Sequence, residues 1–279
     1  MSGPYASPRS GTSGPAVTLP TLRKLRQAGQ PIVCLTAYDA SFAAILDHVG
    51  IDLVLVGDTL GMVVQGHAST IPVTVDHMVY HTTLVARALK RAWLVADLPF
   101  LSYSDPSQAL ASAGRLLQEG GAKMVKLEGH AGQAAIVEAL ATNGIPVCAH
   151  LGLRPQSEYK IGGFRAAGRS QAEAEKVCED ARRLEDAGAD LLLLECVPSL
   201  LAAEITRAAH VPVIGIGAGA SVDGQILVLY DILGLSQSIR PRFVENFLTG
   251  GRSIAEAVAA YAEAVRNRSY PEPRHGFES

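Results

Sequence analysis

The stretch DAGADLLLLE, residues 186–195, holds the pattern that decides the fold. A helix-like segment ends at Gly188, a continuous apolar run follows, and an ionisable residue, Glu195, closes it. Four leucines in a row, without polar alternation, suit a strand covered on both faces, as in a parallel sheet flanked by helices. Upstream, Ser170 and Glu173 have the spacing of a capping box, and Ala174, Val177, Ala181 and Leu184 recur at helical spacing. The pattern predicts a helix over 170–188 with Gly188 at its C-terminal cap.

The same phrase recurs along the chain. Gly50 leads into IDLVLVGD, which ends at Asp58, Gly121 into AKMVKLEG with Lys126 and Glu128, and Gly144 into IPVCAH, which ends at His150. PIVCLTAYD, ending at Asp39, and AWLVADLP, carrying Asp97, fit without the leading glycine. VPVIGIGAG, from Val211, is a seventh run, and GQILVLYD, from Gly224, supplies a candidate eighth. Asp105-Pro106 opens a further helix, with proline at its tolerated first position, and Gly120-Gly121 closes it. Strands alternating with helices admit a (βα)8 barrel or an open doubly wound sheet, and the barrel is the expected α/β fold. Gly215-x-Gly217-x-x-Ala220 matches a dinucleotide fingerprint only formally: it falls in the seventh run, and no acid follows about 20 residues on.

A chain of 279 residues matches one barrel domain. Ten of the first fifteen residues are Ser, Gly or Pro, so residues 1–17 are expected to be a disordered tail and 18–279 the barrel. The chain is 48% hydrophobic, enough for a full core, and 24 Lys and Arg against 27 Asp and Glu leave no basic field for nucleic acid or anionic lipid. No apolar run approaches the roughly 18 residues that would span a bilayer. No secretory leader is evident, and the expected location is the cytoplasm. Cys34, Cys148, Cys178 and Cys196 are scattered, without metal-ligand or disulfide-framework spacing, and read as small buried hydrophobes.

A barrel carries its active site at the C-terminal ends of its strands. Asp39, Asp58, Asp97, Lys126, Glu128, His150 and Glu195 all close apolar runs, so the fold gathers them on one rim. Asp58, Asp97 and Glu128 offer only oxygen, a donor set suited to Mg²⁺ rather than zinc; a carboxylate–lysine ion-pair network is the competing reading. Lys126 and Glu128 are two apart on one strand and leave on one face, which lets Lys126 hold a substrate carboxylate. Glu195, after four leucines, is expected to be desolvated and suited to general base catalysis. His150 is either structural or orients a substrate oxygen. Together these residues point to a divalent-metal enzyme acting on a small anion through an enolate.

At these motifs the chain resembles the ketopantoate hydroxymethyltransferase (3-methyl-2-oxobutanoate hydroxymethyltransferase) family of the phosphoenolpyruvate/pyruvate barrel superfamily. The matching stretches include LTAYD (35–39), LVGDTLGMVVQGH (55–67), ADLPF (96–100), VKLEG (125–129), HLGLRPQS (150–157), GGFRAAGR (162–169), LECVP (194–198) and VIGIGAG with DGQILVLYD (213–231). The resemblance implies transfer of a one-carbon unit from 5,10-methylenetetrahydrofolate to 3-methyl-2-oxobutanoate, in pantothenate and coenzyme A synthesis. It implies that Asp58 and Asp97 ligate Mg²⁺ with Glu128 in support, that Thr59 and Lys126 hold the oxo acid's carboxylate, that Glu195 accepts the proton, and that His150 lines the pocket. It also implies a homo-oligomer, typically a decamer. The chain departs from the family pattern at Thr59, at Glu158-Tyr159, at Ser170-Gln171 and at Gly276.

Overall fold

The computed structural model describes residues 14–163, 167–236 and 241–278. Eight parallel strands close a barrel in chain order: β1 (Ile32–Thr36), β2 (Leu53–Val56), β3 (Trp93–Asp97), β4 (Met124–Glu128), β5 (Val147–Gly152), β6 (Leu191–Glu195), β7 (Val213–Ile216) and β8 (Gly224–Leu227). Each coincides with one of the eight apolar runs. Their residues are almost uniformly buried, since barrel interior and surrounding helices cover opposite faces.

The helices form where the local signals place them. Ser170 accepts from the Glu173 backbone and the Glu173 carboxylate returns to the Ser170 N–H, opening the helix Gln171–Asp186. Gly188, with φ +105°, lies just past the Ala187 cap. Asp105 caps Pro106–Gln118. The alternation breaks once: β7 returns to β8 through residues 217–223 with no helix. Glycines in and beside the formal fingerprint serve this short return. Gly217 and Gly219 have φ of +61° and +79°, and a Cβ on Gly224 would meet the Ile32 carbonyl at 2.4 Å, so β8 needs glycine to lie against β1. No helix opens behind the fingerprint, so it builds no pyrophosphate cradle.

Tyr261, on the helix Ile254–Arg266, donates to the carbonyls of Cys34 and Gln225 and so pins the β8–β1 closure. At the N-terminal rim, residues preceding a strand hold neighbouring backbone: Asp52 accepts from Val33 N–H and Arg91, and Asp223 from Val213 N–H and Arg26. Residues 1–13 of the expected tail lie outside the described residues. Its last part is folded, however, for Val17 is buried and its N–H donates to Arg91.

Candidate active site

The barrel's C-terminal mouth holds a cavity walled by strand ends, and Asp58, Thr59, Asp97, Lys126, Glu128, His150 and Glu195 all line it. Strand register explains the neighbours. Asp97 pairs with Lys126 across β3–β4, and Glu128 with His150 across β4–β5. Lys126 Nζ lies 2.6 Å from Asp97 Oδ1, His150 Nε2 3.2 Å from Glu195 Oε2, and His150 Nδ1 3.9 Å from Glu128 Oε1. Asp58 N–H donates to Asp97 Oδ2 at 3.0 Å, which brings β2 and β3 together at the rim. A Cβ on Gly152, at φ +95°, would sit 2.2 Å from the Glu195 carbonyl, so β5 and β6 approach this closely only with glycine there.

Three carboxylates and one lysine in so dry a place leave uncompensated charge. Burial, then the neighbouring Asp97, pushes Asp58 up to about 7, against the pull of Lys126 and a hydrogen bond from Gln156. Burial and the Asp58 charge push Glu128 well above the carboxylate range. Burial works against the Lys126 ammonium, but Asp97, Asp58 and Glu128 outweigh it and hold its pKa above the ordinary value. Burial, then Lys126, lowers His150, which is therefore neutral near pH 7. Neither His150 ring nitrogen makes an aligned hydrogen bond to a protein group. Buried polar atoms left this way are offered to a ligand.

The mouth departs from the sequence expectations in particular ways. Asp39 does not join the cluster: it caps the helix Ala40–Val49 by accepting from Phe42 N–H. The leucine run does not seal Glu195. Its side chain keeps 18% exposure, the most open of the ion-paired groups here, and the desolvated carboxylates are instead Asp58, Asp97 and Glu128. His77 accepts from Thr74 N–H and His81 lies 2.7 Å from the Tyr38 carbonyl, so both act in helix capping and packing.

One residue of the mouth escaped sequence reasoning. Gln156, buried after β5, donates through Nε2 to Asp58 Oδ2 at 2.8 Å and to the Leu98 carbonyl at 3.0 Å. Its N–H reaches both Glu128 oxygens, and its Oε1 accepts from Tyr103 at 2.5 Å. A lone glutamine in a single 3-10 turn, Pro155–Ser157, carries no spacing signal, which is why its role needed the fold.

Among the described residues no three His, Cys, Asp or Glu side chains converge as a ready metal cage. Mg²⁺ needs only one or two protein carboxylates and keeps waters or substrate oxygens for the rest. Asp58 and Asp97 fit that requirement: both are buried, they share one place, and excess negative charge there raises Asp58. Glu128, held by Gln156 N–H, stands beside them.

Fold and mouth together define a single-domain (βα)8 barrel with a carboxylate-lined, cation-compatible candidate active site. The chain belongs to the ketopantoate hydroxymethyltransferase family, whose model matches residues 16–273. The 3-methyl-2-oxobutanoate hydroxymethyltransferase of Halorhodospira halophila is 57% identical over 97% of this chain and 98% of its own length. That of Marinobacter nauticus is 53% identical over 95% of this chain and all of its own. The fold is shared with phosphonopyruvate hydrolase in complex with oxalate and Mg²⁺, with a TM-score of 0.61 and 13% identity over 92% of this chain and 100% of that one. A 2,3-dimethylmalate lyase of the PEP mutase/isocitrate lyase superfamily gives 0.56 at 18% identity over 92% and 89%.

Proposed function

We propose that this chain hydroxymethylates 3-methyl-2-oxobutanoate to ketopantoate, with 5,10-methylenetetrahydrofolate as donor and Mg²⁺ as cofactor. The observation that carries this reading is the mouth itself: Glu195, partly open and 3.2 Å from a neutral His150, faces one cavity with the buried Lys126 ammonium.

Each side chain has a task in that reaction. Lys126 and the Thr59 hydroxyl hold the oxo acid's carboxylate, which would compete with Asp97 for the ammonium. Asp58 and Asp97, with Glu128 in support, would hold Mg²⁺, which when bound would supply positive charge that favours loss of the C3 proton. Glu195 removes the C3 proton, leaving an enolate, and neutral His150 orients the carboxylate that takes it. Gln156 keeps Asp58 and Glu128 aimed inward. C3 then forms a bond to the donor's one-carbon unit. Over the whole reaction one water supplies the new hydroxyl oxygen, and the carrier's two nitrogens regain protons as their bonds to the methylene carbon break.

The test is a coupled assay of purified protein with the oxo acid, the folate and Mg²⁺, with and without chelator. Turnover that survives exhaustive chelation rules out the metal role, and no turnover of the folate rules out the donor. The decamer belongs to the same proposal. Light scattering measures the mass. No helix among the described residues is long and apolar enough to cross a membrane, which accords with the proposed cytoplasmic setting.

A further inference from the structure

A second cavity, of about 440 Å³, opens outward from the mouth, and Glu128 lines both cavities. Its volume lies within the range of pockets that hold drug-sized ligands, far above the needs of a five-carbon acid. Its floor is Tyr103 and Gln156, the pair whose hydrogen bond leads to Asp58. Its lip is apolar: Phe100 and Leu101 are exposed, and Leu101 is held at φ +58°. A leucine in the left-handed region is strained, and strain that presents an exposed apolar side chain at a cavity is a mark of a ligand surface. Two cations, Arg154 and Lys160, also line it. Among the described residues neither has an ion pair or side-chain hydrogen bond. Burial, then Arg154 and to a smaller extent Lys160, lowers His130 of the same lining, which accepts from Gly132 N–H through Nδ1.

An aromatic and apolar lip, a polar floor touching the reactive cluster, and two unpaired cations describe an elongated ligand. It has a flat aromatic body and terminal carboxylates. We infer that this outer cavity seats the one-carbon carrier, with its reactive end over Glu128 and Gln156, its aromatic segment on Phe100 and Leu101, and its glutamyl carboxylates at Arg154 and Lys160. The inference rests on the proposed function and adds to it the place and polarity of donor binding.

The two readings fail separately. Exchange of the oxo acid's C3 proton for deuterium in heavy water with Mg²⁺ needs no carrier and reports the inner site and the fold. The double variant R154Q/K160Q should exchange normally, while its KM for 5,10-methylenetetrahydrofolate rises 10- to 100-fold and kcat changes little. Added KCl should raise the wild-type KM and leave that of the variant flat, because the lost contacts are the charged ones. As a second variant, Leu101→Gly relieves the backbone strain and removes the lip, and should raise the same KM three- to tenfold with exchange intact. A wild type that exchanges but does not turn over the folate overturns the donor reading and this placement with it. A wild type that turns over, with the folate KM of R154Q/K160Q unchanged, overturns the placement alone.

Discussion

The two rims of this barrel are built from the same residue types and use them in opposite ways. At the N-terminal rim, carboxylates are satisfied by the protein. Asp52 accepts from Val33 N–H and lies 2.8 Å from Arg91, and Asp47 accepts from three consecutive N–H groups at Lys90, Arg91 and Ala92. Burial raises even Asp223 there, but Val213 N–H and Arg26 pull it back. At the C-terminal rim, Asp58, Asp97 and Glu128 share one lysine, and His150 has no aligned partner. The contrast separates a closure from a workplace. Charge completed by the chain holds strands together, whereas charge left incomplete is completed by a ligand.

That division predicts where substitutions act. The largest effect belongs to Glu195→Gln, which keeps shape and removes the base. It should lower kcat on the order of 10²–10⁴ with little change in oxo acid affinity, and slow C3 deuterium exchange in parallel. Exchange as fast as wild type would transfer the role of base to another group. The opposite rim should answer only in stability. Asp52→Ala strands Arg91 and the Val33 N–H, and should cost about 2–4 kcal/mol in denaturant unfolding with kcat unaltered. A loss of kcat in folded protein would break the separation of the rims.

Asp58→Asn should do the reverse, abolishing turnover while stabilising the metal-free protein by roughly 1–3 kcal/mol near pH 8. The sign follows from Asp58 being pushed from its ordinary 3.8 up to about 7. Below about pH 4 both folded and unfolded states are protonated and the native state bears no penalty. As pH rises toward 7 the unfolded chain ionises first, so stability declines across that window. Melting curves from pH 4 to 8 should fall more steeply for wild type than for Asp58→Asn, and equal slopes would contradict the uncompensated charge. Smallest is Gln156→Ala, which frees Asp58 and leaves Glu128 on the backbone N–H of residue 156. Mg²⁺ affinity by calorimetry should fall about 10- to 100-fold, the usual weight of a residue that orients metal ligands.

Much of this was legible before any fold was known. The eight strand runs, the Ser170 and Asp105 caps and six of the seven lining residues are local patterns, and Thr59 came from the family resemblance alone. A strand buried on both faces must be continuously apolar, and an ionisable residue that ends it must emerge at a rim. Sequence alone therefore determined the barrel, the rim and the residue types gathered there. Tertiary structure decided matters that depend on who stands opposite. It made Asp39 a helix cap although Asp58, in the same kind of position, lines the cavity. It left Glu195 partly open and buried Asp58, Asp97 and Glu128, because desolvation is set by the neighbours across the mouth rather than by preceding leucines. It joined β7 to β8 without a helix, through Gly217 and Gly219 at positive φ. And it placed Gln156 between two carboxylates 98 and 28 residues distant in sequence, a contact that no local pattern encodes.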